Sequence, residues 1–256
     1  MTVRPARSRT LLLVAAVCAS ALLAGCTPAQ FQAWWTARGN PPMKEPELSR
    51  HAAAATRYWA EVARKKRFSY SVRTIDSALA NRMTPSSWRP GCPVPLSSLR
   101  YVRLAYMDMG GGERVGEMVV HADAVSHTVM AFKVLWDHRF PIANMRLVDD
   151  YGGDDDASMA ANNTSAFNCR RVAGSSTWSQ HSYGRAIDIN PVQNPYVAGS
   201  SVAPPAGAAY RDRTVVRPGM VRRGDAAHRV FTQMGWGWGG DWASSKDYQH
   251  FSANGR

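Results

Sequence analysis

Ser179-Gln180-His181-Ser182-Tyr183-Gly184-Arg185-Ala186-Ile187-Asp188-Ile189-Asn190 is the stretch on which the reading of this chain turns. From Arg185 onward the residues alternate. Ile187 and Ile189 share one face, while Ala186, Asp188 and Asn190 share the other, the period of a strand. A carboxylate set mid-strand between isoleucines is costly unless something positive meets it. His181 lies seven residues upstream, across a turn that Gly184 permits. Imidazole plus carboxylate suits a borderline cation such as zinc. An arginine paired with Asp188, with His181 capping a loop, satisfies the same pattern.

A second cluster adds to the first. Trp236-Gly237-Trp238-Gly239-Gly240-Asp241-Trp242 leads into Asp247-Tyr248-Gln249-His250-Phe251. His250 offers another imidazole, and Asp247 a carboxylate three residues before it. Two histidines and one aspartate leave one position of a tetrahedral zinc open, as catalytic sites require. A further carboxylate beside that position can take a proton and later pass it to a leaving amine. The glycines here read as turn residues. The tryptophans read as core, with a substrate-stacking wall as the second reading.

Ser179, His181, Gly184, Ala186 and Asp188 fit S-x-H-x-x-G-x-A-x-D, and Asp247 with His250 fits a downstream D-x-x-H. Together they resemble the zinc D-alanyl-D-alanine carboxypeptidase family, which includes VanX-type dipeptidases and L-alanyl-D-glutamate endopeptidases. The resemblance covers roughly residues 90–256. It implies an α+β fold, a small antiparallel sheet with flanking helices around a single zinc site. It also implies His181, Asp188 and His250 as Zn2+ ligands and Asp247 as general base. The implied activity is hydrolysis of amide bonds in peptidoglycan stem peptides, of the L-Ala-D-Glu endopeptidase or D-Ala-D-Ala carboxypeptidase type. An aspartate in the base position is similar to the endopeptidase branch. The family's substrate-binding arginine has its best candidate in Arg170, with Arg171 as the alternative. A non-catalytic, zinc-containing wall-binding lipoprotein is the rival reading.

The start of the chain says where such a protein would work. Arg4, Arg7 and Arg9 precede an apolar run from Leu11 to Ala24. That run is too short for a hydrocarbon core of about 30 Å, so residues 1–25 read as a secretory signal. Leu23-Ala24-Gly25-Cys26 resembles a bacterial lipobox, which makes Cys26 the lipidated residue of a protein held on the extracytoplasmic face of the cell membrane. Cys18 then leaves with the signal, and Cys92 and Cys169 remain. In an exported, oxidising setting they are expected to form one disulfide. A reactive thiol at Cys169 is the competing reading. The net charge is +12, or +9 once the three leader arginines are removed. Export turns that basicity away from nucleic acid and toward anionic lipid or wall polymer. A monomer is expected.

The rest of the chain divides into a tether and helical segment, 26–89, and the peptidase domain, 90–256. A breaker-free run predicts a helix from Glu47 to Arg67. Alternation predicts strands over 101–107 and 114–121 around Gly110-Gly111-Gly112, and apolar spacing predicts a helix from Val125 to Trp136. Met145 to Val148 is expected as a strand. The five aspartates of 149–156 read as an exposed loop rather than a calcium site, because they lack the EF-hand order. His51, His127, His138 and His228 read as surface or satisfied helix positions. His121 ends a strand and is left open as a residue facing the site. The insert from Pro191 to Arg223, with five arginines, reads as a solvated loop or as a rim for anionic polymer.

Overall fold

The computed structural model describes residues 27–37, 39–64 and 67–256. Cys26 and the signal lie outside the described residues. Two compact units divide between Arg67 and Phe68.

The first unit holds α1 (Pro28–Thr36) and α2 (Glu47–Arg64). Thr27 caps α1 by accepting from Gln30 N–H, while the Gln30 side chain accepts from Thr27 N–H. Phe31, Leu48 and Ala52 are buried, and the Phe31 ring stacks on His51. Among the described residues no helix is long and apolar enough to cross a membrane.

The second unit is a mix of helices and small antiparallel sheets, the α+β fold expected. Its elements are β1 (Tyr70–Thr74), α3 (Ser77–Met83), β2 (Leu99–Met107), β3 (Glu113–His121), α4 (Val125–Asp137) and α5 (Asp155–Ala160). Then come β4 (Ala186–Asp188), β5 (Tyr196–Ala198), β6 (Ser201–Ala203), α6 (Ala226–Gln233), β7 (Gly237–Trp238), β8 (Lys246–Asp247) and β9 (His250–Ser252). Three sheets result, in the orders β1-β2-β3, β4-β9-β7 and β6-β5-β8. β1 pairs with β2 along its whole length, so residues 70–74 belong to this unit.

The β2–β3 hairpin turns where expected. Asp108 accepts from the N–H groups of Gly110 and Gly112, and a Cβ at Gly112 would sit 2.8 Å from that carboxylate. Val102, Leu104, Met118 and Val120 form the inner face of the hairpin. They meet Phe132 and Leu135 of α4, Ile187 and Ile189 around β4, and Phe251 of β9. The core therefore lies directly behind the two strands that carry Asp188 and His250. A second cluster of Leu79, Met83, Leu99, Val119, Leu147 and Phe167 encloses Cys169, which is joined to Cys92 by a disulfide.

Three expectations are corrected. Met145–Val148 is not a strand: both main-chain polar groups of Arg146 are taken by the side-chain amide of Asn163. Glu117 N–H donates to Met145 O, and the chain then enters a 3-10 turn at Val148–Tyr151. The aspartate run is exposed at Asp150, Asp154 and Asp156, as expected, but it is tied to the fold and runs into α5 rather than forming a free loop. Asp149 accepts from Ser86 and Ser87, Asp150 pairs with Arg82, Asp154 caps α5, and Asp155 pairs with Arg170 at 2.7 Å. The insert is folded too, since it supplies β5 and β6 and pairs through β5 with β8.

Candidate metal centre

β4 and β9 run antiparallel with Asp188 directly opposite His250. The backbone of Asp188 is pinned on its other side by two bonds with Ser165. His181 reaches the same point from a short 3-10 turn, Gln180–Tyr183, whose N-cap Ser179 accepts from His181 N–H. Gly184 closes that turn at φ +65°, and a Cβ there would meet His121 N at 2.5 Å. Only glycine takes both the conformation and the close approach without strain.

His181, Asp188 and His250 are all buried, and one ligand atom from each lies within 4.8 Å of the others. His181 Nε2 is 3.1 Å from Asp188 Oδ2, and His250 Nδ1 is 3.0 Å from Asp188 Oδ1. The two ring nitrogens are 3.2 Å apart. The opposite ring nitrogens face carbonyl oxygens: His181 Nδ1 lies 2.5 Å from Ala166 O, and His250 Nε2 lies 3.0 Å from Arg256 O. A carbonyl only accepts, so those nitrogens carry the protons. In the neutral rings, two lone pairs and a carboxylate then converge on one place. Such a set favours positive charge and could hold a metal ion. Ligands about 2.0–2.1 Å from a tetrahedral ion are about 3.3 Å apart, close to the spacing seen, and carbonyl-anchored imidazoles are the usual outer support of such sites.

The electrostatics carry the same preference. Burial works to raise the pKa of Asp188, but the charges and hydrogen bonds of His181 and His250 outweigh it and hold the carboxyl far below its ordinary range. Burial opposes charge on His250, yet its bond to Asp188 raises that imidazole to about 9. A proton thus does part of what a metal ion would do.

Asp247 lies near enough for its carboxyl to respond to Asp188, His250 and His181. Burial first, then the Asp188 charge, pushes it up to about 7. Its Oδ1 is buried and has no hydrogen-bond partner. Gly239 lets the chain pass close, since a Cβ there would sit 2.5 Å from Asp247 O.

Arg170 is fixed beside the histidine turn. Ser182 Oγ accepts from Arg170 N–H and donates to Arg170 O. Its guanidinium pairs with Asp155, whose carboxyl is raised by burial and responds to His181 and Asp188, while its Nε is buried without a partner. Arg171 is taken up elsewhere, stacked 3.5 Å over Trp178. His121 turns to Asp123 and does not join the trio. His228, expected to be surface or satisfied, is mostly buried edge-on to Trp238, and neither ring nitrogen is hydrogen-bonded. Trp236 and Trp238 are core, whereas Trp242 is partly exposed with its ring 5.6 Å from that of His250. Sequence reasoning missed Asp155 and the two anchoring carbonyls. A main-chain oxygen leaves no mark in a sequence, and Asp155 was hidden in a run of like residues.

An α+β domain with two imidazoles and a carboxylate converging between paired strands carries a possible metal site. Residues 173–253 match the family model described as D-alanyl-D-alanine carboxypeptidase, which bears out the resemblance over that segment. The match takes in His181, Asp188, Asp247 and His250, and Arg170 stands just ahead of it. No match was found among curated proteins or among solved structures.

Proposed function

We propose that this protein is a zinc peptidase that hydrolyses amide bonds in peptidoglycan stem peptides. The observation that carries the reading is the convergence of His181 Nε2, Asp188 and His250 Nδ1 with their far nitrogens tied to carbonyls. The zinc they would hold supplies a Lewis acid for the scissile carbonyl and for the attacking water. Asp247 takes a proton from that water through its unpartnered oxygen and gives it to the departing amine. A carboxylate beside the open position is the group suited to both halves of this exchange. Arg170, steadied by Asp155 and Ser182 and partly exposed, binds a carboxylate of the stem peptide or the oxyanion through its guanidinium. Trp242 forms an apolar wall beside His250. The reading of residues 1–26 adds export and a lipid anchor at Cys26.

The test is incubation of the zinc-loaded protein with purified muropeptides, read by mass spectrometry with and without a chelator. Release of terminal alanine identifies a carboxypeptidase, and separation of L-Ala from D-Glu identifies an endopeptidase. Asp247→Asn is expected to lose about 10²–10⁴-fold in turnover while keeping its zinc. Absence of chelator-sensitive product from every stem peptide favours the wall-binding module instead.

A further inference from the structure

Arg213 is a partly buried cation that forms no ion pair with a carboxylate among the described residues. Its Nη1 donates to Gln193 O at 2.6 Å, and its Nη2 donates to Val221 O at 2.6 Å and to Asn194 Oδ1 at 3.1 Å. The guanidinium plane also lies 4.4 Å over the ring of Tyr248. Burial lowers its pKa to about 10, so the fold bears a cost to keep this charge inside.

What those contacts join is informative. Gln193 and Asn194 begin the insert and Val221 ends it, so one side chain closes the insert at its base. Asn194 ties that base to β4 by donating to Ile189 O. From there β5 pairs with β8, placing Tyr196 opposite Asp247, and Pro195 O accepts from Tyr248 N–H. Tyr248 in turn is held from below, because its carbonyl accepts from Trp238 Nε1 at 2.9 Å. β8 has only two residues and one neighbouring strand, with the Lys246 side chain donating to Trp242 O and Ile189 N–H donating to Gln249 O on either side of it.

We propose that Arg213 is a positioning residue for Asp247, stapling the insert to Tyr248 and thereby holding the two-residue strand that presents the Asp247 carboxylate to the metal trio. The role of Asp247 rests on the function proposed above; the mechanical link from Arg213 to β8 does not. The insert is then part of the reaction's machinery rather than a specificity rim alone.

The experiment compares wild type, Arg213→Ala, Arg213→Lys and Tyr248→Leu, with Arg217→Ala as the control in the same insert. Arg217 stacks on Tyr210 and does not touch Tyr248. Hydrogen exchange by mass spectrometry is expected to show residues 246–249 exchanging faster in the first three variants. β4 and β9 should stay as protected as in wild type, and zinc content should be unchanged. On stem peptides, kcat should fall about 10–100-fold with KM within about threefold, guanidinium ion should restore part of the Arg213→Ala loss, and Arg217→Ala should match wild type. Arg213→Lys keeps the charge but not the three-way fork, so it carries the test if Arg213→Ala does not fold. Unchanged exchange at 246–249 in folded Arg213→Lys and Tyr248→Leu overturns the proposal, whatever the activity. A wild-type protein without peptidase activity overturns the function and leaves the exchange result to decide the role of Arg213.

Discussion

Asp188 is met by His181 and His250, not by an arginine, and that pairing has a pH signature in the metal-free protein. His250 has its folded pKa raised from 6.5 to about 9, so its contribution to stability is full below pH 6.5 and is lost as pH rises through 9. Asp188 is depressed, so its contribution is present above about pH 3.8 and is lost only in stronger acid. Asp247 is raised to about 7, which also removes stability as pH climbs from 3.8 through 7. Together they place the metal-free optimum at about pH 4, with stability falling from there toward pH 9. Chelated protein is therefore expected to melt lower at pH 9 than at pH 6. Added zinc displaces the shared proton, so its stabilisation should grow over the same interval. Melting curves at both values, with and without zinc, check this; a metal-free Tm that rises toward pH 9 contradicts it.

At the scale of elements, what could be read in advance is what local pattern controls. The β2–β3 hairpin follows from alternation around three glycines, and α4 from apolar spacing. β4 follows from the Ile187–Asp188–Ile189 alternation, and the cysteine count anticipated the disulfide. What escaped depends on partners far along the chain. Met145–Val148 has strand-like residues, but the amide of Asn163 takes the polar groups a strand partner would use. The aspartates read as solvent-facing until their partners at positions 82, 86, 87 and 170 are brought up by the fold. The insert looked loose because Arg213 makes its bonds chiefly to main-chain oxygens, with one to the Asn194 side chain. The disulfide spans 77 residues and anchors Cys169 one residue before Arg170. Closing a loop of that length is worth about 4 kcal/mol in the chain-entropy model. The Cys92→Ser/Cys169→Ser variant should lose about that much in urea unfolding, and a loss under about 1 kcal/mol would show that the surrounding cluster suffices without it.

Across the whole molecule, the residues proposed to carry chemistry come from four separate places: the stretch before β4, the histidine turn, β4 itself, and β8–β9. The motifs could be recognised because each supplies its residues at short spacing. Their meeting depends on the shared core of Ile187, Ile189 and Phe251, on the close approaches at Gly184 and Gly239, and on an insert that reaches back to support β8. The excess of basic residues is partly internal to this design, since Arg82, Arg170, Arg185 and Arg213 all serve contacts within the fold. Every role proposed for these residues depends on the trio holding a metal. Native mass spectrometry of the intact protein with zinc, beside folded Asp188→Ala, measures that directly. One zinc per chain on a monomer, lost in Asp188→Ala, is the expected result; a metal-free mass in saturating zinc, or zinc retained without Asp188, contradicts the account.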